Sequence, residues 1–471
     1  MKTGLSLLML VLTCSMGYSQ TEWSLQQCID QALKNNIAIK QSEITTKIYG
    51  NNATQSKASI LPTINMGAQH TYNFGRTIDR YTNTFANTQV LSQNFYVSSN
   101  VVLWSGLSQY NNIRANEFQY MASTETLGQQ RNDLSLNVAT AFINVIFCDE
   151  LLQVAKGQYS ITEEQMKRTE KLVDAGTLAK SAYYDLKAQL GNEDVNVTTA
   201  DNNYQIAMLT LLQLMNIDSV NNLKIEKPNI EILSGELANI SVQNVYETAL
   251  KNQHSVKSAE YNVLAMEKSL AAAKGRVSPT LSATGTIGTG TSGLDKKIIG
   301  TQMNGVTPIG ATATGEVVYT PNIEYLTETK SFTDQFKDNV NKSVGFTLTV
   351  PIFNGLQTYT NVKNAQLNAL NARYNRELVE QNLYKTIAQS YANARASLNK
   401  YNSSKASVEA SQQSFEYAQQ KYNVGAISTF DFNSAKTRLQ NAQANLVQAK
   451  YDFIFRLKVL DFYQGKPLTL N

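Results

Sequence analysis

The stretch Ser343-Val344-Gly345-Phe346-Thr347-Leu348-Thr349-Val350-Pro351-Ile352-Phe353-Asn354-Gly355 decides the fold. Val344, Phe346, Leu348, Val350 and Ile352 alternate with Ser343, Gly345, Thr347 and Thr349. A period of two describes a strand with apolar side chains on one face and small polar ones on the other. Pro351 and Gly355 then punctuate the chain, and from Leu356 onward the composition turns to Ala, Gln, Leu, Lys and Glu. That change predicts a strand handing over to a long helix, with the proline at the joint, where a missing N–H costs least.

Three further segments share the alternation. Ile64, Met66, Ala68, Tyr72 and Phe74 alternate with Thr63, Asn65, Gly67, Gln69, Thr71 and Asn73. Phe95, Val97, Val101 and Leu103 are expected on one face of a second strand, and Leu281, Ala283 and Ile287 on one face of a third. Each runs for about ten residues, enough to cross a bilayer when tilted. In a transmembrane barrel the apolar face meets lipid and the polar face a wet lumen. A soluble half-buried sheet packed on helices has the same alternation. The N-terminus tips the reading toward the barrel: Lys2, the apolar run Leu5 to Thr13, and small Gly17 and Ser19 before Gln20 make an export signal over 1–19. A lipoprotein cut before Cys14 is the alternative processing. No later segment approaches 18 uninterrupted apolar residues, so no spanning helix is expected.

Between the strands, helical composition fills 24–60, 107–170, 179–215, 242–277, 356–421 and 428–464. A helix through 107–170 would be about 95 Å long. The seams hold Ala, Asn and Gln rather than clean heptads, which suits close helix packing around a wide tube.

The chain also repeats itself. Ser24, Ala32, Leu33, Lys34 and Asn35 recur as Ser241, Ala249, Leu250, Lys251 and Asn252, an offset of 217 that holds to Pro62 and Pro279. Gly106, Leu107, Tyr110 and Asn112 recur as Gly355, Leu356, Tyr359 and Asn361, an offset of 249 shared by Gly176 and Gly425. The expected organisation is a signal at 1–19, a first repeat at 20–218 with a β-hairpin about 61–105, a linker at 219–240, and a second repeat at 241–471 with a β-hairpin about 279–354. The second copy is 32 residues longer, all inserted between Pro279 and Gly355. That excess, rich in Gly and Thr around 288–342, reads as a long extracellular loop.

Composition narrows the function. Charged residues are 17% and the net charge is +4 without a basic block, which argues against nucleic acid. Cys28 and Cys148 are buried thiols or one bridge between packed helices. His70 fits the apolar face of its strand poorly, and neither it nor His254 has a ligand cluster, so no metal and no cofactor is expected. With no nucleophile constellation and no phosphate-binding loop, the chain reads as a passive conduit rather than an enzyme. A periplasmic coiled-coil scaffold or adaptor would explain the helices but not four lipid-length strands. Four strands cannot close a barrel, and an open edge in lipid leaves unpaired backbone groups, so copies must share one wall: two give 8 strands, three 12, four 16.

The joint Val350 to Gly355, its partner Leu103-Trp104-Ser105-Gly106, the first helix from Trp23 to Asn35, and the turn Tyr422-Asn423-Val424-Gly425-Ala426-Ile427-Ser428 together resemble the TolC-type outer-membrane efflux proteins. The resemblance spans essentially the mature chain. It implies an α+β membrane protein whose four transmembrane β-strands per chain contribute to an oligomeric β-barrel, continued by a long periplasmic α-helical barrel, with an internal two-fold repeat. It further implies a homotrimer in outer-membrane lipid. Such an assembly is the exit duct of a tripartite efflux or type I secretion system, joined to an inner-membrane pump through a periplasmic membrane-fusion adaptor. The adaptor-docking tips it implies are Val424, Gly425, Ala426 and Ile427, with Ala175, Gly176, Thr177 and Leu178 in the first repeat. The aspartates that ring the family's periplasmic aperture correspond to Asp431 and, in a departure, Ser434; in the first repeat the same positions hold Ala182 and Asp185.

Overall fold

The computed structural model describes residues 22–87, 89–217, 224–228, 237 and 240–469. The export signal over 1–19, Cys14 included, and most of the 219–240 linker lie outside the described residues. In chain order the elements are β1 (Glu22–Trp23), α1 (Leu25–Asn35), α2 (Ile37–Ala58), β2 (Thr63–Asn73), β3 (Thr77–Ile78), β4 (Phe85–Ala86), β5 (Val90–Trp104), α3 (Ser108–Asp174), α4 (Lys180–Met215), β6 (Lys224–Ile225), α5 (Val242–Asn252), α6 (His254–Gly275), β7 (Thr280–Ser292), β8 (Lys296–Ala311), β9 (Val317–Thr329), α7 (Phe332–Asp338), β10 (Asn341–Thr349), α8 (Gln357–Asn423) and α9 (Thr429–Tyr463). The described residues form two units, a helical one within 22–50, 118–264 and 370–469 and a strand-bearing one within 51–117 and 265–369. The chain crosses between them within α2, α3, α6 and α8.

In the helical unit α1 begins with a reciprocal cap. The Ser24 hydroxyl accepts from the Gln27 N–H and the Gln27 side chain accepts from the Ser24 N–H, satisfying two donors that a helix start leaves orphaned. The main core gathers Cys28, Val138, Phe142, Leu211, Met215 and Ile454 from α1, α3, α4 and α9. By length and composition α3 contains a stretch apolar enough to cross a membrane, though not an uninterrupted apolar run; just over half of that stretch is buried, as in the core helix of a folded unit. Cys28 and Cys148 belong to the same core and are free thiols, so the bridge is not formed. Burial pushes the Cys28 thiol up to about 12.

Two expected helices are each split in two. α1 and α2 meet at Asn36, whose backbone is extended (φ −59°, ψ 127°) and whose Oδ1 accepts from the Ala38 N–H at 2.9 Å, capping α2. α5 and α6 meet at Gln253, also extended (φ −71°, ψ 128°). Helical composition alone misses both breaks because one extended residue does not disturb it.

In the strand-bearing unit the four expected strands form one antiparallel sheet in the order β10-β7-β5-β2. Two details of the expected pattern change. β10 ends at Thr349, leaving Val350 and Ile352 beyond the strand, because Pro351 has no N–H to give the ladder. A bulge at Leu103 puts Trp104, not Leu103, in register with Leu281 and Leu348. The expected extracellular loop is largely structured: β8 and β9 pair as a β-ribbon, and α7 follows. α7 lies on the sheet, with Phe336 and Phe95 edge to face at 5.6 Å and the Thr289 hydroxyl donating to the Phe336 carbonyl.

Candidate functional site

Register shows what each face of the sheet offers. Met66, Val97 and Ile287 form one row across β2, β5 and β7, and Val101, Ala283 and Phe346 another across β5, β7 and β10. Side chains of this face stand in the open: Met66 is 84% exposed, Phe346 70% and Val344, between the two rows, 80%. One row further along the same face, at Ala68, Phe95 and Thr289, α7 lies on the sheet through Phe336. The opposite face carries Asn65, Ser98 and Thr286 in one row, a polar wall. His70 shares a row with Gln93 and Thr291, and its Nδ1 lies 3.0 Å from Gln93 Nε2. Beyond that polar row the same face continues with Tyr72 opposite Leu91. The Gln93 partner explains why a histidine sits on this face.

The joints that follow the strands are alike in backbone and unlike in surroundings. Gly106 and Leu107 (φ +60° and +62°) match Gly355 and Leu356 (φ +63° and +66°). Left-handed backbone favours glycine at the first position. At Gly106 a Cβ would meet the Gly275 carbonyl at 2.3 Å and the Ser278 side chain at 2.5 Å, so only glycine allows this approach. At Gly355 nothing lies within 4 Å, and its neighbour Ile352 is 95% exposed.

The two helical turns likewise share one geometry. α3 closes with Gly176 at φ +76°, its N–H donating to the Val173 carbonyl and the Thr177 N–H to the Leu172 carbonyl. α8 closes with Gly425 at φ +74°, its N–H donating to Tyr422 and the Ala426 N–H to Lys421. This paired closure satisfies the last carbonyls of a helix and needs a left-handed residue. Around it the turns diverge. Ser428 and Asp431 cap α9 reciprocally, and Phe432 is buried against Tyr422, ring centroids 4.8 Å apart, and Phe415. α4 is preceded by Ala179, whose methyl group cannot cap the helix. Gly176, Thr177, Val424, Gly425 and Ala426 are exposed, and Leu178 and Ile427 half-buried. Asp431, Ser434 and Asp185 are exposed on α9 and α4. Asp431 is thus a helix cap as well as a candidate aperture charge.

Sequence reasoning missed two features here. Phe430 is 80% exposed beside the second turn; only the cap at Ser428 phases α9 so that Phe432 turns inward and Phe430 outward. It also missed a buried ion pair. Lys436 of α9 donates to Glu193 of α4 at 2.7 Å, to the Gln158 carbonyl of α3 at 2.9 Å and to the Thr162 hydroxyl. Thr162 donates to the other Glu193 oxygen at 2.6 Å, and Gln189 to the first at 2.9 Å. Burial draws the Lys436 ammonium below the usual lysine range, and the Glu193 carboxylate opposes that shift. Charged residues in a helical pattern read as a solvated face, and only packing reveals the exception.

The sequence model of the Outer membrane efflux protein family matches residues 28–216 and 245–465. These segments begin 217 and end 249 residues apart. Among curated proteins, the outer membrane protein TolC of Escherichia coli (strain K12) is 26% identical over 448 residues, 93% of this chain and 80% of that protein. The outer membrane efflux protein BepC of Brucella suis biovar 1 (strain 1330) is 21% identical, covering 94% of this chain and 85% of its own. Among solved structures, CusC superposes with a TM-score of 0.76 at 16% identity over 95% of this chain and 93% of CusC. VceC of Vibrio cholerae does so at 0.75 and 16%, over 94% and 96%. The relatives are channel proteins, and the fold, mostly helical with a small sheet, is theirs. An open sheet with one oily and one polar face, two glycine-closed helical turns and a family match over most of its length converge on one conclusion: the chain belongs to the outer membrane efflux protein family and is an outer-membrane efflux channel of the TolC type.

Proposed function

We propose that three copies close a 12-stranded barrel, with the polar strand faces lining a wet pore and the helices continuing it through the periplasm. Each chain is then a unit written twice, 20–218 and 241–471, after a signal at 1–19. The contrast between Gly106 and Gly355 carries the reading. The first joint is filled by Gly275 and Ser278, at the end of α6. At the offset of 217 the counterparts of those residues are Ala58 and Leu61, at the end of α2. Within one chain nothing fills the second joint, and Leu61 is 62% exposed. A neighbouring copy that brings its Ala58 and Leu61 to Gly355 completes both at once, and the unpaired edges β10 and β2 meet in the same step.

The test is a cysteine pair, Asn354→Cys with Leu61→Cys, oxidised in membranes. A ladder of cross-linked chains ending at three is expected, with ion conductance in planar bilayers from the purified assembly. A freely soluble monomer would sink the reading. The lipid face has its own check. Phe346→Lys places a charge on the outward row and is expected to cost the assembly about 2–4 kcal/mol near the bilayer midplane, whereas Thr347→Lys on the lumen face costs little. Comparing the denaturant resistance of the two variants in vesicles decides it; equal losses would mean that both faces are wet.

The turns at Gly176 and Gly425 are the docking points for a membrane-fusion adaptor, which links this channel to an inner-membrane pump. Asp431 contributes a charge to the periplasmic aperture, Ser434 leaves the second position uncharged, and in the first repeat Asp185 stands at the position that corresponds to Ser434. Like charges brought together attract cations and repel each other. Asp431→Asn removes the charge yet keeps an acceptor for the Ser428 N–H. It is expected to weaken the channel's cation preference; unchanged ion selectivity would leave Asp431 a helix cap alone.

A further inference from the structure

The ribbon β8–β9 has a one-sided surface, and none of the described residues covers it. β8 has 16 residues against 13 in β9, and the surplus is spent in three register slips, all on β8. The slips have a consequence for the faces. Met303 and Val306, three apart, would point to opposite sides of a regular strand, as would Met303 and Pro308. With the slips, Met303 pairs with Ile323, Val306 with Pro321 and Ala311 with Val317, three rows on one side of β9. The other side holds Thr307 with Thr320, Gln302 with Glu324 and Lys297 with Glu328, and its two apolar residues, Leu326 and Val318, each stand opposite a glycine. Bulges that gather apolar side chains onto one face are features rather than defects. That face is bare: Met303 is 66% exposed and Tyr319 57%. A two-stranded ribbon is barely stable in water without cover.

Position and size select what covers it. β7 pairs with β5 as far as Ser292, and β8 begins just past it and pairs with β9 alone, so the ribbon starts where the four-stranded wall stops. It returns through α7 to β10, the edge strand where, on the assembly proposed above, the next copy joins. The apolar face measures roughly 400 Å² from strand length and width. A patch of a few hundred Å² marks an interaction surface, yet independent partners need about 800 Å² each. Arms already held side by side need far less, because tethering makes their contact intramolecular.

We infer that the ribbons of neighbouring copies pack their apolar faces on one another, forming a collar beyond the extracellular end of the barrel. The inference rests on the shared barrel, and the test separates the two. Ile323→Cys on the apolar face and Thr320→Cys on the polar face are each treated with a short bis-maleimide in intact membranes; the native Cys28 and Cys148 are buried. The Ile323 variant is expected to shift from one chain to cross-linked chains on a denaturing gel while the Thr320 variant stays as one. If Ile323→Cys stays single while the Asn354–Leu61 pair cross-links, the collar is refuted and the barrel stands. If both faces cross-link alike, the ribbons share no defined face and the collar is refuted. If neither the ribbon nor the Asn354–Leu61 pair cross-links, barrel and collar fall together.

Discussion

Gly425→Ile is expected to abolish efflux while the cross-linked assembly forms as before. The residue stands at φ +74° with nothing within 4 Å of a Cβ, so the substitution meets no clash. Its cost is in the backbone: a left-handed conformation disfavours a side chain by about 1–2 kcal/mol, and β-branching adds to that. Such strain does not unfold two helices held by the Phe432, Tyr422 and Phe415 stack. It does break the closure made by the Gly425 and Ala426 N–H groups, and Val424, 78% exposed, then leaves its place with Ala426 and Ile427. A cost of 1–2 kcal/mol lowers the population of the native turn by about 5–30-fold. Gly425→Asn, which tolerates the left-handed region, is expected to keep most activity. Substrate susceptibility of cells relying on this channel reads the effect. Normal efflux by the isoleucine variant would end the docking assignment for this turn.

The largest effect on stability is expected at Lys436 and Glu193. Both side chains are 2% exposed, and they tie α9 to α4 and, through Gln158 and Thr162, to α3. Lys436→Ala or Glu193→Ala strands one buried charge and is expected to cost about 3–5 kcal/mol. Lys436→Met combined with Glu193→Leu removes both charges and fills the space, and is expected to recover most of that loss, since an apolar pair of similar volume often serves as well. The Thr162 hydroxyl keeps a partner in the Gln158 carbonyl, 3.2 Å away. Thermal loss of helical circular dichroism in detergent reads all four proteins. If the double variant is as unstable as the sum of the singles, the pair is not coupled and the network is misassigned.

The strands, the long helices and their joints were legible because each follows from a local rule. Alternation placed β2, β5, β7 and β10; Pro351 marked the strand's end; Gly176 and Gly425 marked the turns through the one backbone conformation that glycine favours. What escaped depends on residues far apart in sequence. The break at Asn36 is stabilised by its own side chain and by the Leu214 carbonyl, to which Asn36 Nδ2 donates at 3.2 Å. The ribbon β8–β9 was read as loop because its three slips destroy the period of two along β8, and only pairing with the regular β9 restores it.

The sequence by itself determined the four alternating strands of the main sheet, each with one oily face, and the long helices that end in glycine turns. Those are properties of periodicity and backbone preference, which act over a few residues and are written in order along the chain. The tertiary structure alone decided which charged residues are buried, which joint is filled and which is bare, and which of two neighbouring phenylalanines faces in. Burial is a property of what packs against a residue, and the packing partners of Lys436, Gly106 and Phe432 come from segments no local pattern connects.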